Sequence, residues 1–204
     1  MIIHQIFIDC GVGYKDIPSN PIWLNAINEN IKNGWETKIW YEKEIDELID
    51  KHYKQYKVFM TIFPNKFWKI DFVRALILHH EGGIYMDLDT ILLYKPNLDE
   101  NILIGYFTKP NDDVIGNNDF IYFKNRDMYL EYADYCMRRQ RMCKMPFEWK
   151  ARRHLHIVGS HSLVSFVKYK KMFRQFTGYC RGSESSWLNL YLSLIHISEP
   201  TRPY

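Results

Sequence analysis

Cysteine is scarce in this chain and poorly spaced for a metal. Only Cys10, Cys136, Cys143 and Cys180 occur, and none forms a Cys-x-x-Cys pair. That spacing argues against a structural zinc site, and the four read as free thiols of a reducing compartment. Long apolar runs are also missing. Nothing approaches the roughly 18 consecutive apolar residues of a membrane-spanning helix. The opening "MIIHQIFIDCG" is apolar, but it has no basic start and no small-residue cleavage site, so it does not read as a secretory leader. An excess of one charge sign is missing too: 27 Lys and Arg stand against 24 Asp and Glu, and a net +3 is too small to argue for nucleic acid as a partner. Internal repeats and low-complexity linkers are absent, so no domain boundary is placed. The expectation is a cytoplasmic protein whose only membrane contact is peripheral, at the inner face.

What is present suffices for one packed domain: 204 residues, 47% hydrophobic and 16% aromatic, with 25% charged. The first apolar run, "IIHQIFI", reads as a buried strand. "SNPIWLNAINENIKNGW" reads as a helix with Ser19 or Asn20 as its cap and Pro21 in the first turn. Ile22, Ala26, Ile27 and Ile31 supply its apolar spacing. "WETKIWY" is a second strand. "EKEIDELIDKHYKQYKVFMTIF" is helical up to Pro64. "NKFWKIDFVRALILHHEGG" predicts an amphipathic helix closed by glycine. Strands near residues 2–9, 36–41, 84–87 and 102–107, with another in 114–124, alternate with helices. This is an α/β pattern with a mostly parallel central sheet flanked by helices. Residues 193–204, "SLIHISEPTRPY", follow no preceding periodicity and look like a translated sequencing-adapter tail. The domain is therefore taken as 1–192, cut short at its C-terminal end.

The stretch "HHEGGIYMDLDT" carries the chemistry. An apolar run ends in Asp87 and Asp89 directly after Gly82-Gly83. In an extended chain residues i and i+2 share a side, so the two carboxylates converge on one point. Ligands of open α/β sheets sit beyond the carboxyl ends of strands. Converging carboxylates repel unless a cation neutralises them, and Mg2+ or Mn2+ suits an all-oxygen site that also takes phosphate. Glycine at 82 and 83 lets backbone and ligand approach closely. Asp71 and Arg74 lie i,i+3 on one face of the preceding helix, as acceptor and donor for sugar hydroxyls or phosphate.

The block "KIDFVRALILHHEGGIYMDLDTILLYKP" resembles glycosyltransferase family 32, the DXD-containing sugar transferases. The match lies in Asp71, Arg74, Leu78, Gly82, Gly83, Tyr85, Asp87 and Asp89, all in register. "IIHQIF" and "WETKIWYEKEI" are similar to that family's first two strands. The resemblance implies a GT-A fold, a nucleotide-sugar donor (UDP or GDP), a glycan or lipid-linked acceptor, and retention at the anomeric carbon. It implies that Asp89 ligates the metal directly and that Asp87 helps hold it while contacting ribose or sugar. Asp71 and Arg74 would bind donor hydroxyls, with Arg74 also on the leaving diphosphate. Gly83 and Tyr85 would lie near the donor, and Ile6 and Phe7 would line the base pocket with Phe7 stacking. In "SESSWLN", Ser186 and Trp187 would close over the diphosphate and Glu184 would face the metal. Phe7 stands where tryptophan is commoner, Ile70 where serine is frequent, and Ser160 where the family has proline in its Thr-Gly-Pro segment.

Other constellations are weaker. His4 reads as a satisfied core histidine, and His79-His80 as a helix C-terminus. His154 and His156 have ligand-like spacing on a strand, but no acid or cysteine nearby completes a site. The basic segment 138–153 offers a surface for anionic lipid or a phosphate-linked acceptor. Two rival readings are a nucleotide-sugar hydrolase and a non-catalytic sugar-nucleotide binder.

Overall fold

A computed structural model describes residues 1–11, 15–108, 114–142, 150–170 and 179–181. Seven strands occur among them. They are β1 at Ile2–Phe7, β2 at Glu36–Tyr41, β3 at Ile84–Met86, β4 at Thr90–Leu92, β5 at Ile102–Thr108, β6 at Val114–Phe123 and β7 at Tyr179–Arg181. The central sheet has five of them in the order β2-β1-β3-β6-β5. The parallel expectation holds for β2, β1 and β3. It is corrected at β6, which runs antiparallel to both β3 and β5. Only residues 109–113 separate β5 from β6, and a connection that short makes a hairpin, never a crossover. A second, two-stranded sheet pairs β4 with β7.

Helix α1, Pro21–Lys32, begins at Asn20, whose Oδ1 accepts from the amides of Ile22 and Trp23. Its buried face is Ala26, Ile27 and Asn30, while Ile31 is exposed. An asparagine therefore takes a core position that the apolar spacing assigns to isoleucine. Helix α2, Glu42–His52, is followed by a tight turn at Lys54–Tyr56 and the short α3, Lys57–Met60.

Helix α4, Lys66–Glu81, departs from the amphipathic expectation. Every residue from Phe72 to Leu78 is buried. The helix is packed against α2, β1, β3 and α5, Asp127–Met142, so it has little outer face to keep polar. Its C-terminus is capped by the Arg126 guanidinium, which donates to the carbonyls of His79 and His80. A cation there suits the negative end of the helix dipole. Beyond α5 come α6, Lys150–Ile157, and α7, Ser160–Tyr169.

His4 is the core histidine expected. It is fully buried and its Nδ1 accepts from Trp40 Nε1 at 3.0 Å. Burial lowers its pKa to about 4. Cys10 and Cys136 are free thiols, and burial pushes Cys136 up to about 12.

Candidate active site

Helix α4 and the end of β3 meet at one buried guanidinium. Arg74 Nη2 lies 2.7 Å from Asp71 Oδ1 and 3.1 Å from Asp87 Oδ1. Its Nη1 donates to the Asn118 carbonyl at 2.7 Å. Arg74 is only 6% exposed, so the Asp71–Arg74 pair is not the solvated i,i+3 contact that spacing alone allows. Burial works against its charge, but Asp71 and Asp87 outweigh it and hold the guanidinium protonated. Burial likewise opposes the charge on Asp71. Arg74 and His154 overcome this and hold its carboxyl below the usual range. The guanidinium also lies 4.5 Å from the Tyr85 ring centre, and the Tyr85 hydroxyl donates to Asp87 Oδ1 at 2.9 Å.

The two acids of the DXD stretch do not converge through strand alternation. Strand β3 ends at Met86, and the Thr90 amide donates back to the Asp87 carbonyl at 3.1 Å, closing a turn over Asp87–Thr90. The Asp87 carbonyl also accepts from Gln5 Nε2 at 3.0 Å, and its amide donates to the Asp119 carbonyl at 3.0 Å. Asp89 sits inside the turn, 7% exposed, with Oδ1 3.5 Å from Thr90 Oγ1. The next segment is clamped by Asn30, which donates to the Thr90 carbonyl at 2.9 Å and accepts from the Leu92 amide at 2.8 Å.

A bulge in β6 supplies the opposite wall. The β5–β6 register jumps from Ile104↔Ile121 to Gly105↔Asn117, leaving Asn118 to Phe120 out of that ladder. Asn118 and Asp119 use the freedom to present their carbonyls to Arg74 and Asp87. Asn118 Nδ2 also donates to Asp71 Oδ1 at 3.0 Å. Bulges of this kind re-aim groups beside functional sites.

The remaining expected residues divide. Ile6 packs into the main core, and Phe7 joins a separate cluster with Ile17, Ile27 and Leu88. The Ile6 side chain is therefore occupied by core packing. The Phe7 ring is 7% exposed and packs edge-on against Trp23 and Tyr41. Gly82 and Gly83 have φ of 77° and 79°. At Gly83 a Cβ would fall 2.5 Å from the Ile2 carbonyl, so this glycine permits the close approach of β1. Glu184, Ser186 and Trp187 lie outside the described residues, as do residues 193–204.

His154 corrects another expectation. It lies on α6, a helix, and it does meet an acid. Its Nε2 is 2.7 Å from Asp71 Oδ2, and its ring stacks on Trp68 at 5.3 Å and 16°. Sequence reasoning does not single out Gln5, Asn30, Asn118 or His154 as site residues. Polar Gln5 inside "IIHQIF" and "NND" inside a strand are visible signals; the spacing of His154 and His156 marks His154 but does not reveal Asp71 as its partner.

The carboxylates of Asp87 and Asp89 flank one turn and offer only oxygen, a donor set suited to a hard divalent ion. Among the described residues no third histidine, cysteine or acid joins them in a closed cage. That composition fits an ion whose other positions are filled by phosphate oxygens and water.

Comparison with known proteins agrees with this geometry. Residues 22–108 match the family described as glycosyltransferase sugar-binding region containing DXD motif. The chain is 31% identical over 138 residues to inositol phosphoceramide mannosyltransferase 1 of Schizosaccharomyces pombe, covering 65% of this chain and 40% of that protein. It is 24% identical over 178 residues to the initiation-specific alpha-1,6-mannosyltransferase of Candida albicans, covering 79% of this chain and 42% of that protein. It thus spans about two fifths of the length of these curated relatives. Among solved structures, PaToxG glycosyltransferase superposes with a TM-score of 0.53 at 18% identity, over 97% of this chain and 76% of the other. The fold is that of the GT-A glycosyltransferases. Over residues 22–108 the chain is thus similar to the sugar-binding region of the DXD-containing glycosyltransferases.

Proposed function

We propose that this chain is a metal-dependent, retaining hexosyltransferase. It moves a sugar from a UDP- or GDP-sugar to a hydroxyl of a glycan or a lipid-linked acceptor, as in surface-polysaccharide synthesis. The single observation that carries this reading is the Arg74 bridge. One buried guanidinium holds Asp71 and Asp87 together at the carboxyl end of β3, where α/β sheets bind ligands. The similarity to two mannosyltransferases favours mannose as the hexose.

Asp87 and Asp89 would hold Mn2+ or Mg2+, which neutralises charge on the departing diphosphate. Asp71 has Oδ1 filled by Arg74 and Asn118 and Oδ2 approached by His154, so a donor hydroxyl would meet the remaining lone pair of Oδ2. Arg74 is committed to two carboxylates and a carbonyl. Its part is to fix Asp71 and Asp87 in place and to lend positive potential to the diphosphate, an electrostatic contribution present before substrate arrives. Both acids are held as partners of Arg74 rather than presented as nucleophiles. This supports same-face displacement, with the leaving phosphate taking the acceptor proton. Among the described residues no helix is long and apolar enough to cross a membrane. The exposed Arg138 and Arg141 on α5 supply the basic surface for a peripheral contact with anionic lipid.

The test is thermal unfolding with GDP-mannose and UDP-glucose, each with and without Mn2+, for wild type and Asp89→Asn. A bound donor raises the melting temperature by mass action. The expected result is a rise with one donor that needs Mn2+ and vanishes in Asp89→Asn. A rise independent of metal and unchanged in the variant would overturn the metal assignment. No rise with either donor would move a non-catalytic role ahead.

A further inference from the structure

His154 takes no part in the proposed transfer, yet three features tie it to Asp71. Its Nε2 approaches Asp71 Oδ2 to 2.7 Å. A carboxylate oxygen has no proton to give when ionised, so the nitrogen facing it carries the hydrogen. Among the described residues Nε2 has no other acceptor, and its approach helps to hold the Asp71 carboxyl below the usual range. Trp68 stands one turn before Asp71 on α4. It is 5% exposed and its ring lies flat on the imidazole, which removes the imidazole's freedom to turn away. Gly159, at the start of α7, is pressed on the same edge. A Cβ there would fall 3.3 Å from Asp71 Oδ2 and 2.9 Å from the Leu155 Cα. Sequence distance hides this juxtaposition, because α4 and α6 are far apart in the chain.

We infer that His154 is a positioning residue for the donor sugar. Held by Trp68, it takes one acceptor direction of Asp71 Oδ2 and so fixes the other for a hexose hydroxyl, Arg74 and Asn118 having taken Oδ1. The inference rests on the reading of Asp71 as a sugar-binding acid. It adds that the α6–α7 junction, and not α4 alone, sets how the sugar is held. His154 acts through Asp71 and affects the sugar half of the donor, not the nucleotide half.

The experiment is calorimetric binding, in Mn2+, of GDP-mannose against GDP and of UDP-glucose against UDP. Wild type, His154→Phe and His154→Gln are compared, with melting temperatures recorded. Phenylalanine keeps a ring on Trp68 but carries no N–H; glutamine restores an N–H at similar reach. In His154→Phe the Kd of the nucleotide sugar is expected to rise roughly tenfold, the loss of about one charge-assisted contact. The Kd of the bare nucleotide stays within about twofold, and His154→Gln recovers most of the loss. If sugar nucleotide and bare nucleotide weaken together, or neither weakens, while wild type binds the sugar nucleotide, the inference alone is overturned. If wild type binds neither donor, the reading of the site fails and the inference falls with it.

Discussion

Helix α4 carries two charged networks, one facing water and one facing the interior. At its start, Lys66 and Lys69 reach Glu42, and Lys69 reaches Asp46, at 2.6 to 3.3 Å. Further along, Asp71 and Arg74 join Asp87 and His154 at 2.7 to 3.1 Å. The distances are alike; the surroundings differ. Glu42 and Lys66 are more than a third exposed, whereas Arg74 is 7% and Asp71 12% exposed at the side chain. Water screens the Glu42–Lys66 contact and can replace a lost partner there. The second network must be satisfied by the protein, or by a ligand.

The contrast breaks most sharply at Arg74. Arg74→Met leaves the enclosed Asp71, and Asp87 with its side chain 25% exposed, without their shared cation, which is expected to cost about 3 kcal/mol in urea unfolding. The same variant should lose donor binding. A cost below about 1 kcal/mol would place this network with the exposed one.

A second interior group tests the same principle through pH. His4 is neutral when folded, with its pKa lowered from 6.5 to about 4. Unfolded chains therefore bind a proton that folded chains refuse as pH falls from 6.5 towards 4. Stability is full above that window and drops within it, by about 3 kcal/mol for such a shift. Urea unfolding at pH 7.5 and 4.5 should show this loss in wild type, and His4→Gln should lack it. An equal loss in both would assign the pH dependence elsewhere.

The smallest effect is expected outside. Lys66→Ala removes one exposed contact to Glu42 and should change stability by less than about 1 kcal/mol, less still in high salt. A larger, salt-insensitive cost would show that the outer network is not screened as its exposure implies.

Much of this arrangement is legible in particular residues. Asn20-Pro21 marks the start of α1, Gly82 the end of α4, and the strand at Glu36–Tyr41 lies where the sequence pattern places it. Asp71, Arg74, Asp87 and Asp89 stand out because acids and a cation interrupt apolar runs where no core needs them. The geometry of Asp87–Thr90 is not legible, since a turn and an extended strand can share the same short polar interruption. Nor is the placement of Gly83 against β1, because glycine reports freedom of the backbone without saying what approaches it.

Sequence by itself determined the local elements and the residue types that could bind a phosphate-linked sugar, because caps, periodicity and charge act over a few residues. Tertiary structure decided that β6 runs antiparallel and bulges at Asn118–Phe120, that Asn30 clamps Thr90 and Leu92, and that His154 reaches Asp71. These are contacts between segments far apart in the chain. They exist because a buried charge must find partners wherever the fold brings them, and no local pattern records which partners those are.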